Sequence, residues 1–153
     1  MSNFLFTYRL RDAYRDMIKR YALQPITTGS YLTAMNAMVD KFETKRRKLV
    51  FLIVTDEPVT VHKQMMPRFK NSFNAYLSGS GHVNNRISVG LDLAIMSRCN
   101  FTILSYGTFS FWSGFLSGGS KLLPVHYLGN HIKWDGDQPK TYQDTFYLTD
   151  VGL

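Results

Sequence analysis

An α/β layered domain with a mostly parallel sheet is the fold class this sequence predicts, and three observations predict it. Short unbroken runs of β-favouring residues, Leu49 to Val54, Phe101 to Leu104 and Lys121 to Val125, read as strands, the first of them buried on both faces. Between them lie stretches whose apolar residues recur every three or four positions, as one face of a helix requires. The two kinds of segment alternate along the chain, the order that layers helices on a parallel sheet. The length of 153 residues suits one domain, 1–153.

Taken in order, Ser30 precedes apolar Tyr31, Leu32, Met35, Met38, Val39 and Phe42, so a helix capped by Ser30 is expected to run to about Arg47. The Leu49 to Val54 strand stops at Thr55-Asp56-Glu57-Pro58. Val59 to Lys70 reads as a short helix interrupted by Pro67, Asn71 to Leu77 contains a candidate strand, and Ser78 to Gly81 is a turn. Ser88 is expected to cap a second clear helix whose core contacts are Leu91, Ala94 and Ile95. After Phe101 to Leu104 comes a tight turn, Ser105 to Thr108, and then a helix from Phe109 to Leu116 closed by Gly118-Gly119. The tail from His126 to Leu153 carries no assignable pattern.

Composition excludes several classes. With 44% hydrophobic and 19% charged residues, the chain is neither disordered nor a coiled coil. No apolar run approaches the roughly 20 residues of a membrane helix, and Met1 to Phe6 does not resemble a signal peptide, so the chain as given carries neither anchor nor export address. The single cysteine, Cys99, excludes an internal disulfide and a thiolate zinc cage and reads as packed. His62, His82, His126 and His131 lack a metal-ligand spacing.

A net charge of +7 favours an anionic partner. The densest cationic cluster, Lys41 to Lys48, sits at a helix end, where cations complement the dipole, and reads as a solvated helix terminus. The aromatic residues are not interleaved with the basic ones, so nucleic acid is not the expected partner. Trp112 and its neighbouring phenylalanines read as core, and Asn100-Phe101-Thr102 is a glycosylation sequon at the start of a buried strand, a poor acceptor.

In an open parallel sheet, ligands bind where strands end and helices begin. Two turns have suitable composition: Thr55-Asp56-Glu57-Pro58 and Ser105-Tyr106-Gly107-Thr108. In the second, Gly107 allows the backbone to approach a ligand, while Thr108 is expected to cap the following helix and leave N–H groups aimed at an anion. That is a phosphate seat without a lysine of the Walker type.

Read as one segment, Asp92 to Gly119 resembles the C-terminal motif of the α-1,2-fucosyltransferase family, D-x-A-L-x-x-x-C-x-x-x-I-x-x-x-G-T-F-x-x-W-x-x-x-L-x-G-G, without a gap and with Ile95 in the Leu position. Upstream, Tyr31 to Phe42 and Phe51 to Asp56 are similar to that family's helix and strand ending in a Thr/Ser-Asp turn. Related enzymes carry an H-x-R-R-x-D stretch ahead of this helix. Arg9 and Asp12 match it in register, whereas Thr7 replaces the His and Leu10 the second Arg.

The resemblance implies a Rossmann-like domain similar to the C-terminal, donor-binding lobe of a GT-B glycosyltransferase, without the acceptor lobe. It implies transfer of L-fucose from GDP-fucose to the 2-hydroxyl of a terminal galactose on a glycan, with inversion. The alternative is a catalytically impaired fragment or non-enzymatic relative that keeps only the nucleotide-sugar-binding fold. Neither metal nor cofactor is implied. Arg9 would clamp the diphosphate as the catalytic residue, Gly107, Thr108 and Phe109 would hold the phosphates, Asp92 would lie at the guanine edge, and Asp56 would line the nucleotide pocket. For an animal parent the family implies the lumenal side of the Golgi membrane, reached through a segment this chain does not contain.

Overall fold

The computed structural model describes residues 2–8, 19–20, 26–78, 86–124, 141–142 and 146–149. They form a seven-stranded sheet in the order β3-β2-β1-β4-β5-β7-β6. Its strands are β1 (Ser2–Tyr8), β2 (Leu49–Thr55), β3 (Ala75–Ser78), β4 (Phe101–Ile103), β5 (Ser120–Pro124), β6 (Thr141–Tyr142) and β7 (Phe146–Thr149). The five from β3 to β5 are parallel, and β7 and β6 add an antiparallel edge. The expected α/β class and parallel sheet are therefore present. The middle strand of the parallel five, β1, was not among the expected strands, nor were the two at the antiparallel edge.

Helix α1 (Thr28–Phe42) owes its position to Tyr31, Ala34, Met35 and Met38, one turn apart and all buried against the sheet. It starts earlier than expected. Thr27 is the cap and Ser30 the third helical residue: the Thr27 Oγ1 accepts from the Ser30 N–H at 3.1 Å and Ser30 Oγ from the Thr27 N–H at 3.3 Å. Such a reciprocal box contributes about 1 kcal/mol. The helix also ends earlier, at Phe42, because Arg47 folds back and donates from Nε and Nη2 to the Phe42 carbonyl at 3.1 and 2.9 Å. Thr44 and Arg47 exchange backbone hydrogen bonds, and Lys48 pairs with Glu43, so half of the expected cationic helix end is a closed turn into β2.

The segment after β2 is broken as the proline suggested. Helix α2 (Pro58–Gln64) and helix α3 (Met66–Ser72) meet at Met65, with Pro67 in the first turn of α3. Val61, Met65, Met66 and Phe69 join Phe51, Ile53, Ile103, Leu122 and the α1 residues in the main core, so α1, α2 and α3 cover one face of the sheet. Truncating a buried aromatic such as Phe69 to Ala costs about 3–5 kcal/mol.

Helix α4 (Arg86–Ser97) and helix α5 (Thr108–Ser117) pack on each other on the opposite face. There Leu52 and Val54 of β2 meet Ile95 and Met96 of α4, Cys99 just beyond that helix, and Phe109 of α5. Ser88 lies inside α4 rather than at its cap, and of the three expected core contacts Ile95 packs inward while the other two do not. Leu91 is 54% exposed and Ala94 is exposed, whereas Met96 and Cys99 are buried. One turn before Met96 on this inward line stands Asp92, half-buried. A carboxylate on the packed face breaks the apolar periodicity on which the expectation rested.

In α5 the outward and inward roles are inverted. Ser110, Ser113 and Gly114 are buried, while Trp112, read from sequence as core, is 52% exposed alongside Phe115 and Leu116. The cause is close approach: a Cβ on Gly114 would lie 2.6 Å from Leu104 Cδ1, so only small residues fit between helix and strand. Gly118, in the left-handed conformation at φ 69°, ends the helix as anticipated.

Candidate functional site

The strand order defines a switch point. From β1 the chain winds outward through β2 and β3 with α1 to α3 on one face, and then through β4 and β5 with α4 and α5 on the other. Neighbouring β1 and β4 thus precede helices on opposite faces, the arrangement in which open α/β sheets bind ligands at the carboxyl edge. Register places their ends together: Tyr8 pairs with Thr55, and Phe6 with Ile103.

After β2, Thr55 is buried and its Oγ1 accepts from the Glu57 N–H at 3.0 Å, a local turn that closes on itself. Asp56 is half-buried within it. Pro58 then opens α2 without an N–H of its own.

After β4, the turn Ser105-Tyr106-Gly107-Thr108 is built differently. Tyr106 is buried in the main core on one side of the sheet, and Phe109 packs into the Val54, Met96 and Cys99 cluster on the other. The two aromatic anchors straddle the sheet edge and leave half-buried Gly107 and exposed Thr108 between them. Gly107, not Thr108, is the residue that caps α5. Its φ of 105° and ψ of 161° belong to a region open to glycine, and no side chain closes the helix start. The earlier expectation of a threonine cap is corrected by this backbone: the glycine completes the turn one residue sooner and makes Thr108 the first helical residue. The Ser105 N–H donates to Ser110 Oγ at 2.8 Å, and Ser113 Oγ donates to the Ser110 carbonyl at 2.7 Å.

Asp92 faces the same helical layer. Its Oδ1 is buried without a hydrogen-bond partner, and burial away from water raises its carboxyl above the ordinary value. An acceptor-only group held this way can receive N–H donors from a ligand.

Of the residues singled out from sequence, Asp56, Asp92, Gly107, Thr108 and Phe109 are described, and one apolar cluster ties them together. Val54 lies two residues before Asp56, Met96 one turn after Asp92, and Phe109 directly after Thr108, and these three side chains belong to one cluster. Phe109 thus anchors the turn by packing. Arg9 follows the last residue of β1 and lies outside the described residues, as do His82, His126 and His131. Exposed His62 is on α2, and among the described residues no group of metal-binding side chains occurs. Sequence reasoning passed over Ser110 and Lys121. A serine two residues after a Gly-Thr pair was the only available sign of the first. Lys121 is fully buried on β5, its Nζ donating to the Gly119 carbonyl at 2.6 Å, with burial lowering its ammonium pKa. Cys99 is buried as expected, which pushes its thiol up to about 11. Among the described residues no helix is long and apolar enough to cross a membrane.

Comparison with known proteins agrees with this architecture. The chain is 36% identical over 118 residues to galactoside alpha-(1,2)-fucosyltransferase 1 of Aotus azarae, covering 77% of this chain and 29% of that protein. The human protein of the same name is 36% identical over 52 residues, 34% of this chain and 13% of the relative. The chain therefore spans less than a third of the length of these curated relatives. Among solved structures, the fucosyltransferase NodZ from Bradyrhizobium aligns over 97% of this chain and 41% of its own, with a TM-score of 0.51 and 12% identity, a likeness of fold. A NodZ alpha-1,6-fucosyltransferase crystal soaked with GDP-fucose gives the same TM-score at 11% identity, over 97% of this chain and 42% of that one. Both neighbours are fucosyltransferases by name, and their likeness of fold agrees with the expected α/β class. The profile of glycosyl transferase family 11 matches residues 9–138, most of the chain, and the protein belongs to that family.

Proposed function

We propose that this chain is the donor-binding lobe of a fucosyltransferase that moves L-fucose from GDP-fucose to the 2-hydroxyl of a terminal galactose, with inversion. The observation that carries the reading is the glycine-capped turn at the switch point, tied by one apolar cluster to Asp56 and Asp92. The Aotus and human relatives are named as alpha-(1,2)-fucosyltransferases, which supports the galactose 2-hydroxyl as acceptor position. In this reading the acceptor lobe lies outside the matched part of the fold. The parent of an animal chain would work on the lumenal side of the Golgi membrane.

The chemistry follows from charge. As the bond from the fucose anomeric carbon to the diphosphate breaks, negative charge grows on the leaving GDP. The positive end of α5, with Gly107 and Thr108 at its start, stabilises that charge, and Arg9 would add a charge-assisted bond from the end of β1. Asp92 would accept the N–H groups of guanine, and Asp56 would line the pocket beside it. These roles need no metal, so donor binding is expected in chelator-treated solution.

Calorimetry with GDP tests the reading: the folded chain should bind in the presence of EDTA, and Thr108→Ala, Asp92→Ala and Arg9→Ala should each weaken binding. A folded chain that releases no heat with GDP at millimolar concentration overturns it. A second reading, an inactive relative that retains only donor binding, is favoured by Thr7 and Leu10 in the positions of a His and an Arg. Formation of GDP from GDP-fucose with a β-galactoside acceptor would refute it.

A further inference from the structure

We propose that Ser110 is a positioning residue, a hydroxyl latch that holds the Ser105 to Thr108 turn in the shape that receives the diphosphate; the ligand in this statement rests on the donor reading above. Ser110 stands in the first turn of α5, only 1% exposed, and its Oγ accepts the Ser105 N–H at 2.8 Å. The bond spans the turn from the end of the strand to the start of the helix. Gly107 lies inside the span, with a backbone that relaxes readily because a glycine has several alternatives to φ 105°. Tyr106 and Phe109 fix where the turn meets the two faces, and the latch closes the loop between them at its base. Without it the buried Ser105 N–H loses the acceptor it has here, and a turn that exposes this amide to water becomes competitive with the closed one.

Ser113 supplies a matched control. It is as buried as Ser110, one turn further along the same helix, but its hydroxyl donates to the Ser110 carbonyl inside the helix rather than bonding the turn. Ser110→Ala and Ser113→Ala thus remove the same atom from the same packed layer, and only the first opens the latch. Amide hydrogen exchange and GDP calorimetry on the full chain distinguish them. Ser110→Ala should speed exchange of the Ser105 to Phe109 amides by about tenfold and weaken GDP binding by about tenfold, the size of one hydrogen bond, while Ser113→Ala changes neither by more than about twofold. Equal effects of the two variants, or no effect of Ser110→Ala on exchange, overturn the latch. Should Ser110→Ala fail to fold, the unsubstituted chain decides: the Ser105 amide should exchange about tenfold more slowly than the amide of exposed Thr108, and equal rates overturn the proposal. A chain that displays this exchange pattern but takes no GDP assigns the latch and overturns the donor reading.

Discussion

The turns after β2 and after β4 leave the same edge of the same sheet, only one strand apart, and solve the strand-to-helix problem in opposite ways. The first satisfies itself. Thr55 Oγ1 takes the Glu57 N–H, and Pro58 removes a donor from the start of α2. The second is braced by Tyr106 and Phe109 on the two faces and by Ser110 beneath, with a glycine as the helix cap and no side-chain capping bond. A self-satisfied turn presents side chains, here the Asp56 carboxylate, whereas an externally braced one can present backbone. That division suits a ligand with a polar base at one end and a diphosphate at the other.

The comparison can be broken most forcefully at the glycine cap. Gly107→Val should destabilise the fold by about 1–3 kcal/mol in urea unfolding, because a β-branched residue resists φ 105° although space for its Cβ exists, and should abolish detectable GDP binding. The mirror experiment, Thr55→Ala, should cost about 1 kcal/mol for the lost hydrogen bond and leave GDP affinity within about twofold.

Asp92 should add a dependence on pH. Its folded pKa is raised, so between its unfolded and folded values the folded state binds more protons, and stability falls as pH rises through that window. Ligand binding runs the other way, because guanine N–H groups need the ionised acceptor. GDP affinity should decline on acidification at a higher pH than an exposed aspartate would cause, and Asp92→Asn should flatten both profiles in calorimetry and in thermal melts. The smallest effect belongs to the opposite end of the sheet: Lys48→Ala removes an exposed pair with Glu43 and should leave GDP binding unchanged.

Much of this arrangement was legible from residue order. The β2 and β4 runs, the α5 boundaries and both turns follow from local chemistry, since a strand of β-branched residues and a glycine before a helix act within a few positions. What stayed hidden depended on contacts between distant residues. The segment Ser2–Tyr8 becomes the middle of the five parallel strands only because β2 and β4 flank it, and Phe146–Thr149 becomes a strand by pairing with β5. Asp92 sits on a packed face that hydrophobic periodicity assigns to Leu91, Ala94 and Ile95. In α5, the close approach of Gly114 to Leu104 turned Trp112 and Phe115 outward, against any rule that places tryptophan in the core. Local signals placed the second turn, but tertiary contacts decided which atoms it displays.

The sequon at Asn100 acquires a use from the burial of its third residue. Asn100 is exposed, but Thr102 is fully buried in β4, so the folded domain cannot offer the hydroxyl that a glycan-transferring enzyme must engage. A glycan could be attached only to a chain not yet folded and would then ride on the surface. If the chain meets such an enzyme, the glycosylated fraction, read as a mass shift removed by a glycosidase, would count the molecules modified before this domain closed.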